Sequence, residues 1–369
     1  MPETKISPEE SSTMKAAYVT EFCEEGTVPD SIVLGEIPAL PPPIKRQVIV
    51  GVKATAINVD DIAGLQDTAM GGWCAHLPKP KKDKPLVGGC EYAGVVTAAG
   101  PDCTKLKVGD RVCGVQNLLN MQGTWAEQTV TEEDHTVPMP DDISFVEAAA
   151  VGMAAHVDAD MVNLATNLEG GRCLVLGASG GLGTVMLQLL KERGVHVTAV
   201  CSGTNAEMVR RLGADEVVDY KVAPFGDQLA GGDKFDVVFD FLGGSETQRS
   251  AAPLLRRGGQ FITAVGPWQG LGDRKLTCGE WTGWACGLAG RILGSLCLPC
   301  CRSYEYRMSM EWAPLKAEAF NAVAVEAGAR GEVALEVPFE EEALRDALRR
   351  VATRRAGGKV IVNLVKTDA

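Results

Sequence analysis

Cationic charge is scarce in this 369-residue chain: 36 Lys and Arg face 48 Asp and Glu, for a net charge of −12, and no arginine precedes Arg46. That balance argues against nucleic acid or an anionic membrane surface as the main partner. The first 13 residues hold three glutamates and no apolar run. They fit neither an Arg-rich transit peptide nor a signal peptide. We expect a disordered tail over 1–13 and a cytoplasmic protein, an organelle being left open. Histidine is rare. None of His76, His135, His156 and His196 sits in a recognisable triad, and no Ser-x-x-x-Tyr-x-x-x-Lys pattern occurs. Internal repeats are absent, which excludes solenoids and propellers. The 12 cysteines are scattered, and a chain this long needs no disulfide staples, so they read as reduced thiols. One long apolar stretch exists, Trp281–Cys301, with Arg291 its single charge. It raises the membrane question, yet Gly283, Gly287, Gly290 and Gly294 weaken a helix and Pro299 ends it. A buried segment or an oligomer interface at a sheet edge is expected ahead of membrane contact or lipidation.

What is present is ordinary globular composition, 46% hydrophobic and 23% charged, at a length suited to about two domains. From Lys15 to Thr131 the signals are strand-like: Lys15–Thr20, Gln47–Ile57, Tyr92–Ala98, Arg111–Val115 and Trp125–Thr131 are β-branched or alternating runs broken by Gly, Pro and Asp. Asp141–Glu169 turns helical. Strands then alternate with helices at Val195–Cys201, Asn205–Leu212, Glu216–Tyr220, Phe235–Phe241, a Ser245-Glu246-Thr247-Gln248 capping box, and Gly259–Gly266. A helix carrying Leu344, Leu348 and Val351 leads to a last strand, Lys359–Leu364. This is an α/β chain with a parallel, doubly wound sheet.

Its centre is Cys173–Gly183, an apolar strand running into a glycine turn and then a helix with Val185, Met186, Leu189 and Leu190 on one face. Strand, glycine turn and helix make a pyrophosphate cradle, because glycine admits the backbone and the helix start offers free N–H groups. Ala178, Ser179, Gly180, Gly181, Leu182 and Gly183 are the cofactor-binding residues of that turn. An NAD site places an acid at the end of the next strand. Here that end reads Cys201-Ser202-Gly203-Thr204-Asn205, with no carboxylate and with donors at Ser202 and Asn205. NADPH is favoured over NADH. Capping of the following helix is the alternative role for both side chains. Strand ends at the switch point, Leu242-Gly243 and Val265-Gly266, should line the nicotinamide pocket.

Further motifs flank the glycine turn in order: Met14-Lys15-Ala16-Ala17, Asn58-Val59-Asp60-Asp61, Gly89-Cys90-Glu91-Tyr92-Ala93-Gly94-Val95-Val96, Val108-Gly109-Asp110-Arg111-Val112 and Gly123-Thr124-Trp125-Ala126-Glu127 before it, and Leu212-Gly213-Ala214-Asp215-Glu216-Val217-Val218-Asp219-Tyr220, Asp236–Asp240, Tyr306-Arg307 and Gly358-Lys359-Val360 after it. Their order resembles the medium-chain dehydrogenase/reductase superfamily, in its zinc-independent quinone oxidoreductase branch with the reticulon-interacting-protein-like and chloroplast-envelope members. The resemblance implies a GroES-like β domain made by both chain ends (14–150 with 310–369) and a Rossmann NADPH-binding domain between them (151–309). It implies catalytic roles for Asn58 and Asp61, cofactor contacts at Ser202, Tyr220 and Lys359, and a homodimer as a common state. For Asn58 and Asp61 turn-shaping is the alternative, for Tyr220 strand packing, and for Lys359 a solvated surface position. Val157 stands where the branch has a threonine, and Asp158 follows it, so NADPH affinity is expected to be weaker than usual.

No metal is expected. The zinc dehydrogenases' first ligand falls near Asn58, Cys90 replaces their histidine, and the third ligand is missing near Met153, short of the three a catalytic zinc needs. Cys297–Cys301 has one C-x-x-C spacing without a second pair. The expected function is hydride transfer from NADPH to a small quinone or enone. The alternatives are an enoyl-thioester reductase, whose substrate phosphates the basic loop Pro78–Pro85 would hold, and an NADPH-binding redox sensor docking through 281–301.

Overall fold

The computed structural model describes residues 13–68, 79–116, 122–166, 168–268, 273–296, 303–309 and 316–365. Residues 1–12, His76, Pro78 and the cysteines 297, 300 and 301 lie outside the described residues. Thr13, assigned above to the tail, instead opens a strand.

The amino-terminal half forms β1 (Thr13–Val19), β2 (Val33–Pro38), β3 (Gln47–Ile57), β4 (Leu86–Val87), β5 (Glu91–Ala99), β6 (Arg111–Val115), β7 (Gln128–Glu132) and β8 (Thr136–Pro138). Their branched residues fit a half-buried pleated surface. Val48, Val50 and Val52 of β3 share one core cluster with Tyr92 and Val96 of β5. The strand read over Trp125–Thr131 starts only at Gln128. Trp125 is fully buried in the preceding loop, its Nε1 donating to the Ala56 carbonyl at 3.1 Å, a tertiary anchor that overrides local strand propensity.

Next come β9 (Arg172–Leu176), β10 (His196–Cys201), β11 (Glu216–Asp219), β12 (Phe235–Asp240), β13 (Leu255–Thr263) and β14 (Tyr304–Met308), followed by β15 (Val333–Pro338) and β16 (Lys359–Asn363). Six of these make one sheet in the order β11-β10-β9-β12-β13-β14, every pair parallel. This is the doubly wound order, with the switch point beside β9. Such strands are covered on both faces. Accordingly Cys173 and Val175 enter one core cluster, and Leu174 and Leu176 another.

The carboxyl end returns to the first half. β16 pairs antiparallel with β3, Val360 opposite Ile57, and completes a seven-stranded sheet ordered β15-β16-β3-β5-β6-β8 with β7 also on β3. The helix Phe145–Leu164 packs against both sheets. It starts with a Ser144/Glu147 capping box and is lined by fully buried Ala148, Ala149, Ala150, Ala154 and Ala155, whose small side chains let it lie close to both. The boundary drawn at 150/151 falls inside this helix, because nothing between Ser144 and Leu164 breaks it.

Two other elements depart from expectation. The helix Ser245–Ala251 has no side-chain cap. Ser245 Oγ donates to the Pro267 carbonyl (3.2 Å) and accepts from Arg291 Nη2 (2.7 Å), so tertiary partners have taken the capping hydroxyl. The apolar stretch forms a helix, Cys278–Leu296, despite its glycines. Trp281, Trp284 and Leu288 pack onto the β14 edge of the parallel sheet, and that burial outweighs the propensity cost. No helix among the described residues is long and apolar enough to cross a membrane.

Candidate active site

β9 leads through the turn Gly177–Leu182 into the helix Gly183–Glu192, and the turn residues 178–183 form one continuous cradle. A Cβ at Gly183 would lie 2.7 Å from Ala178 Cα, and one at Gly181 would lie 2.6 Å from Lys359 Cδ. Only glycine lets the turn fold back on itself and Lys359 cross it. Because the turn follows the central strand, it sits between the ends of β10–β11 on one side and β12–β13 on the other.

At the β10–β11 end, Ser202 Oγ lies 2.8 Å from Thr204 Oγ1. Neither Ser202 nor Asn205 caps the helix beyond with its side chain. Tyr220 is 47% exposed, so it is not strand packing. The absence of a carboxylate, read from β10 alone, needs correction. Asp219, at the end of the adjacent parallel strand, presses its Oδ2 against Gly203 so closely that any Cβ there would collide. Its Oδ1 accepts the Lys221 N–H at 2.9 Å.

At the β12–β13 end, two turns are built alike. Asp240 Oδ1 accepts from the N–H groups of Leu242 (2.9 Å) and Gly243 (3.0 Å). Thr263 Oγ1 accepts from those of Val265 (3.1 Å) and Gly266 (3.0 Å). The Gly244 N–H donates to the Gly266 carbonyl at 2.9 Å, tying the turns together.

Asn58, Asp61, Cys90, Glu91 and Lys359 meet beside the cradle. Asn58 caps the helix Val59–Leu65, and its N–H donates to Asp61 Oδ2 at 2.7 Å, so the turn-shaping role is real. The Asn58 side chain is also held at both ends. Its Oδ1 accepts from Lys359 Nζ (2.8 Å), and its Nδ2 donates to Glu91 Oε2 (3.2 Å) and lies 3.7 Å from Cys90 Sγ. Lys359 is 4% exposed, not solvated, and pairs with Glu91 Oε2 at 2.5 Å. The other Glu91 oxygen accepts the Met153 N–H at 2.6 Å, where Gly152 leaves room on the helix. Burial pushes the Asp61 carboxyl up to about 7, opposed by hydrogen bonds from the Asn58 N–H and from the Cys90 thiol. Burial and the neighbouring carboxyls push the Cys90 thiol well above its ordinary value. Asp158 is fully buried on the helix Phe145–Leu164 with neither oxygen hydrogen-bonded among the described residues, and burial raises it well above the carboxylate range. Val157 precedes it on the same helix, and His156 is buried there too.

The chain matches the alcohol dehydrogenase GroES-like domain family over residues 44–141 and the zinc-binding dehydrogenase family over 181–275. It is 32% identical over 339 residues to the mitochondrial NAD(P)H oxidoreductase RTN4IP1 of Mus musculus, covering 87% of this chain and 82% of that one. The chain belongs to the medium-chain dehydrogenase/reductase superfamily. Within that superfamily it falls in the quinone oxidoreductase-like branch and is an oxidoreductase with a nicotinamide cofactor. It is also 33% identical over 274 residues to the 2-methylene-furan-3-one reductase of Solanum lycopersicum, with 72% of this chain and 65% of that one covered. The solved quinone oxidoreductase from Coxiella burnetii shares the fold, with a TM-score of 0.73 at 20% identity over 96% of this chain and all of that one.

The superfamily's catalytic zinc does not fit these residues. Both Glu91 oxygens are engaged, by Lys359 and by the Met153 N–H, and among the described residues no group of three His, Cys, Asp or Glu converges. A nicotinamide nucleotide does fit, since the cradle at Gly181 and Gly183 has no room for side chains and opens at a helix start. Sequence reading had Glu91 and Asp219 only as members of motifs and gave no sign of the Met153 N–H. Their roles come from neighbours far apart in the chain.

Proposed function

We propose that this protein is a zinc-independent, NADPH-dependent reductase that transfers hydride to a quinone or an α,β-unsaturated carbonyl compound. The observation that carries the reading is the crossing of the glycine turn by Lys359, whose ammonium is locked to Asn58 and Glu91. When bound, the reduced nicotinamide supplies the hydride. The turn 178–183 holds the pyrophosphate, Ser202, Asn205 and Tyr220 hold the adenosine end with its 2′-phosphate, and Leu242, Val265 and Gly266 line the nicotinamide end. Lys359 faces the cofactor from the acceptor side. Residues 14–150 with 310–369 form the acceptor side and 151–309 the cofactor side, with the helix Phe145–Leu164 shared.

Hydride addition leaves an enolate or quinolate oxygen that needs a proton. Asp61, with Oδ2 accepting from the Asn58 N–H and its titration raised to about 7, carries one near neutral pH. The ionised acceptor is delocalised, so a positioned donor serves where zinc-dependent relatives use a metal.

The test is NADPH oxidation with an ortho-quinone and a medium-chain enal, with and without chelator, repeated with NADH. Chelator-insensitive turnover preferring NADPH supports the reading. Metal-dependent turnover, or none with either acceptor despite tight NADPH binding, refutes it. With Asp61 as donor, kcat/KM falls as pH rises through about 7, and Asp61→Asn removes that limb. Enoyl-thioester reduction is the second reading. It is favoured by the exposed lysines of the loop 79–85, where Lys81 and Lys84 pair through their backbones, and by relatives named trans-enoyl reductase. An enoyl thioester in the same assay decides between them.

A further inference from the structure

The helix Cys278–Leu296 has no part in that reading, yet it carries an unexplained atom. It is set at its start by Thr277 and Glu280, with the Thr277 N–H donating to Glu280 Oε2 at 2.9 Å and the Glu280 N–H to Thr277 Oγ1 at 3.3 Å. From there it turns Trp281, Trp284 and Leu288 inward against Phe261 and Tyr306. Trp281 and Trp284 meet edge to face with ring centroids 5.0 Å apart. Trp284 is 6% exposed, and its Nε1 is buried with no hydrogen-bond partner among the described residues. Buried indole N–H groups ordinarily have one.

Its neighbour is Gly266, in the turn at the end of β13. A Cβ there would lie 4.0 Å from Trp284 Nε1 and 3.1 Å from both Sδ and Cε of Met308. Open parallel sheets bind their ligands outside these strand ends. A missing side chain at 266 therefore leaves an orphan donor beside the end of β13, with the flexible Met308 thioether also against Gly266. Methionine is unbranched and adaptable, so it is the group that yields to an incoming ligand.

We propose that Trp284 is a specificity-determining residue of this site, its indole N–H taking a carbonyl oxygen of the ligand bound beside Gly266. The inference rests on the reductase reading. Indole donates and cannot accept. Its partner is thus an acceptor oxygen, supplied either by the quinone or enone or by the carboxamide of the nicotinamide. On this view the apolar stretch is a wall of the reaction chamber.

Trp284→Phe in the full chain keeps the ring and deletes the donor. The readouts are the NADPH dissociation constant by calorimetry, energy transfer from indole to bound reduced nicotinamide, and KM and kcat with phenanthrenequinone and hexenal. An acceptor carbonyl as partner raises KM about tenfold, the loss of one neutral hydrogen bond, with the NADPH constant unchanged. A carboxamide partner raises the NADPH constant by the same factor instead. In both cases Trp284→Phe weakens the energy transfer. Met308→Leu, which stiffens the yielding group, raises KM with Trp284 intact and serves if Trp284→Phe does not fold. KM and NADPH binding at wild-type values in both variants overturn the proposal. A wild-type protein that neither binds NADPH nor turns over refutes the functional reading first, and this inference with it.

Discussion

Two stretches of the helix Phe145–Leu164 each meet a carboxyl shut off from water, and they treat it in opposite ways. At Met153 the helix donates an N–H to Glu91, which Lys359 and Asn58 complete. About one and a half turns on, Asp158 has no hydrogen-bond partner among the described residues, and Lys359 is the cation that acts on it. A buried charge with three donors is a fixed brace between the β-rich sheet and the cradle. A buried acid without donors has its protonated form favoured, so its ionisation moves to higher pH. The same degree of burial yields a frame in one place and a pH-sensitive group in the other.

The largest expected effect comes from breaking the braced side. Lys359→Ala leaves Glu91 buried and unpaired and should cost about 3–5 kcal/mol in denaturant unfolding. The double replacement Glu91→Met with Lys359→Met should recover most of it, whereas a cost below about 1 kcal/mol for the single variant would mean that the brace is not one.

The unbraced side should respond with the opposite sign. Asp158→Leu should stabilise the protein by about 1–3 kcal/mol at neutral pH. The pH dependence follows from the raised folded-state value. Stability is full below the unfolded carboxyl value of about 4 and is lost as pH rises through the folded value. Asp61 acts in the same direction, its part being lost by about pH 7. Unfolding of Asp158→Leu measured against pH should therefore fall less steeply above the unfolded carboxyl value than unfolding of the wild type, and an unchanged profile would remove Asp158 from the account.

Smaller effects are expected at the surface. Asp219→Asn relieves repulsion beside Gly203 and should shift the NADPH-to-NADH affinity ratio toward NADPH by about two- to fivefold. Titration of both nucleotides checks this, and a shift toward NADH would place the 2′-phosphate elsewhere. Smallest of all is the contact between Lys275 and Asp67, 2.5 Å apart but with the lysine 59% exposed. Lys275→Ala should change stability by less than about 1 kcal/mol, and only at low salt.

Local chemistry was legible where it was dense. The bounds of β3 and β6 coincide with the runs Gln47–Ile57 and Arg111–Val115, since the branched run of β3 stops at the helix-capping Asn58 and that of β6 starts after the turn at Gly109-Asp110. The glycine turn was equally plain, because strand, turn and helix are contiguous. Legibility failed where a distant partner intervened. Trp125 left its strand for the Ala56 carbonyl, Ser245 gave up its cap to Arg291, and the glycine-rich helix formed because the sheet edge buries its tryptophans.

By itself, then, the amino-acid order determined many of the strands, where strand, glycine turn and helix follow one another and, through its motifs, the superfamily, all of which depend on near neighbours in the chain. The tertiary structure alone decided the state of the ionisable groups. Glu91 and Lys359 are 268 positions apart and Asp219 reaches Gly203 only across a strand pairing, and burial and charge act through space, where separation along the chain has no bearing.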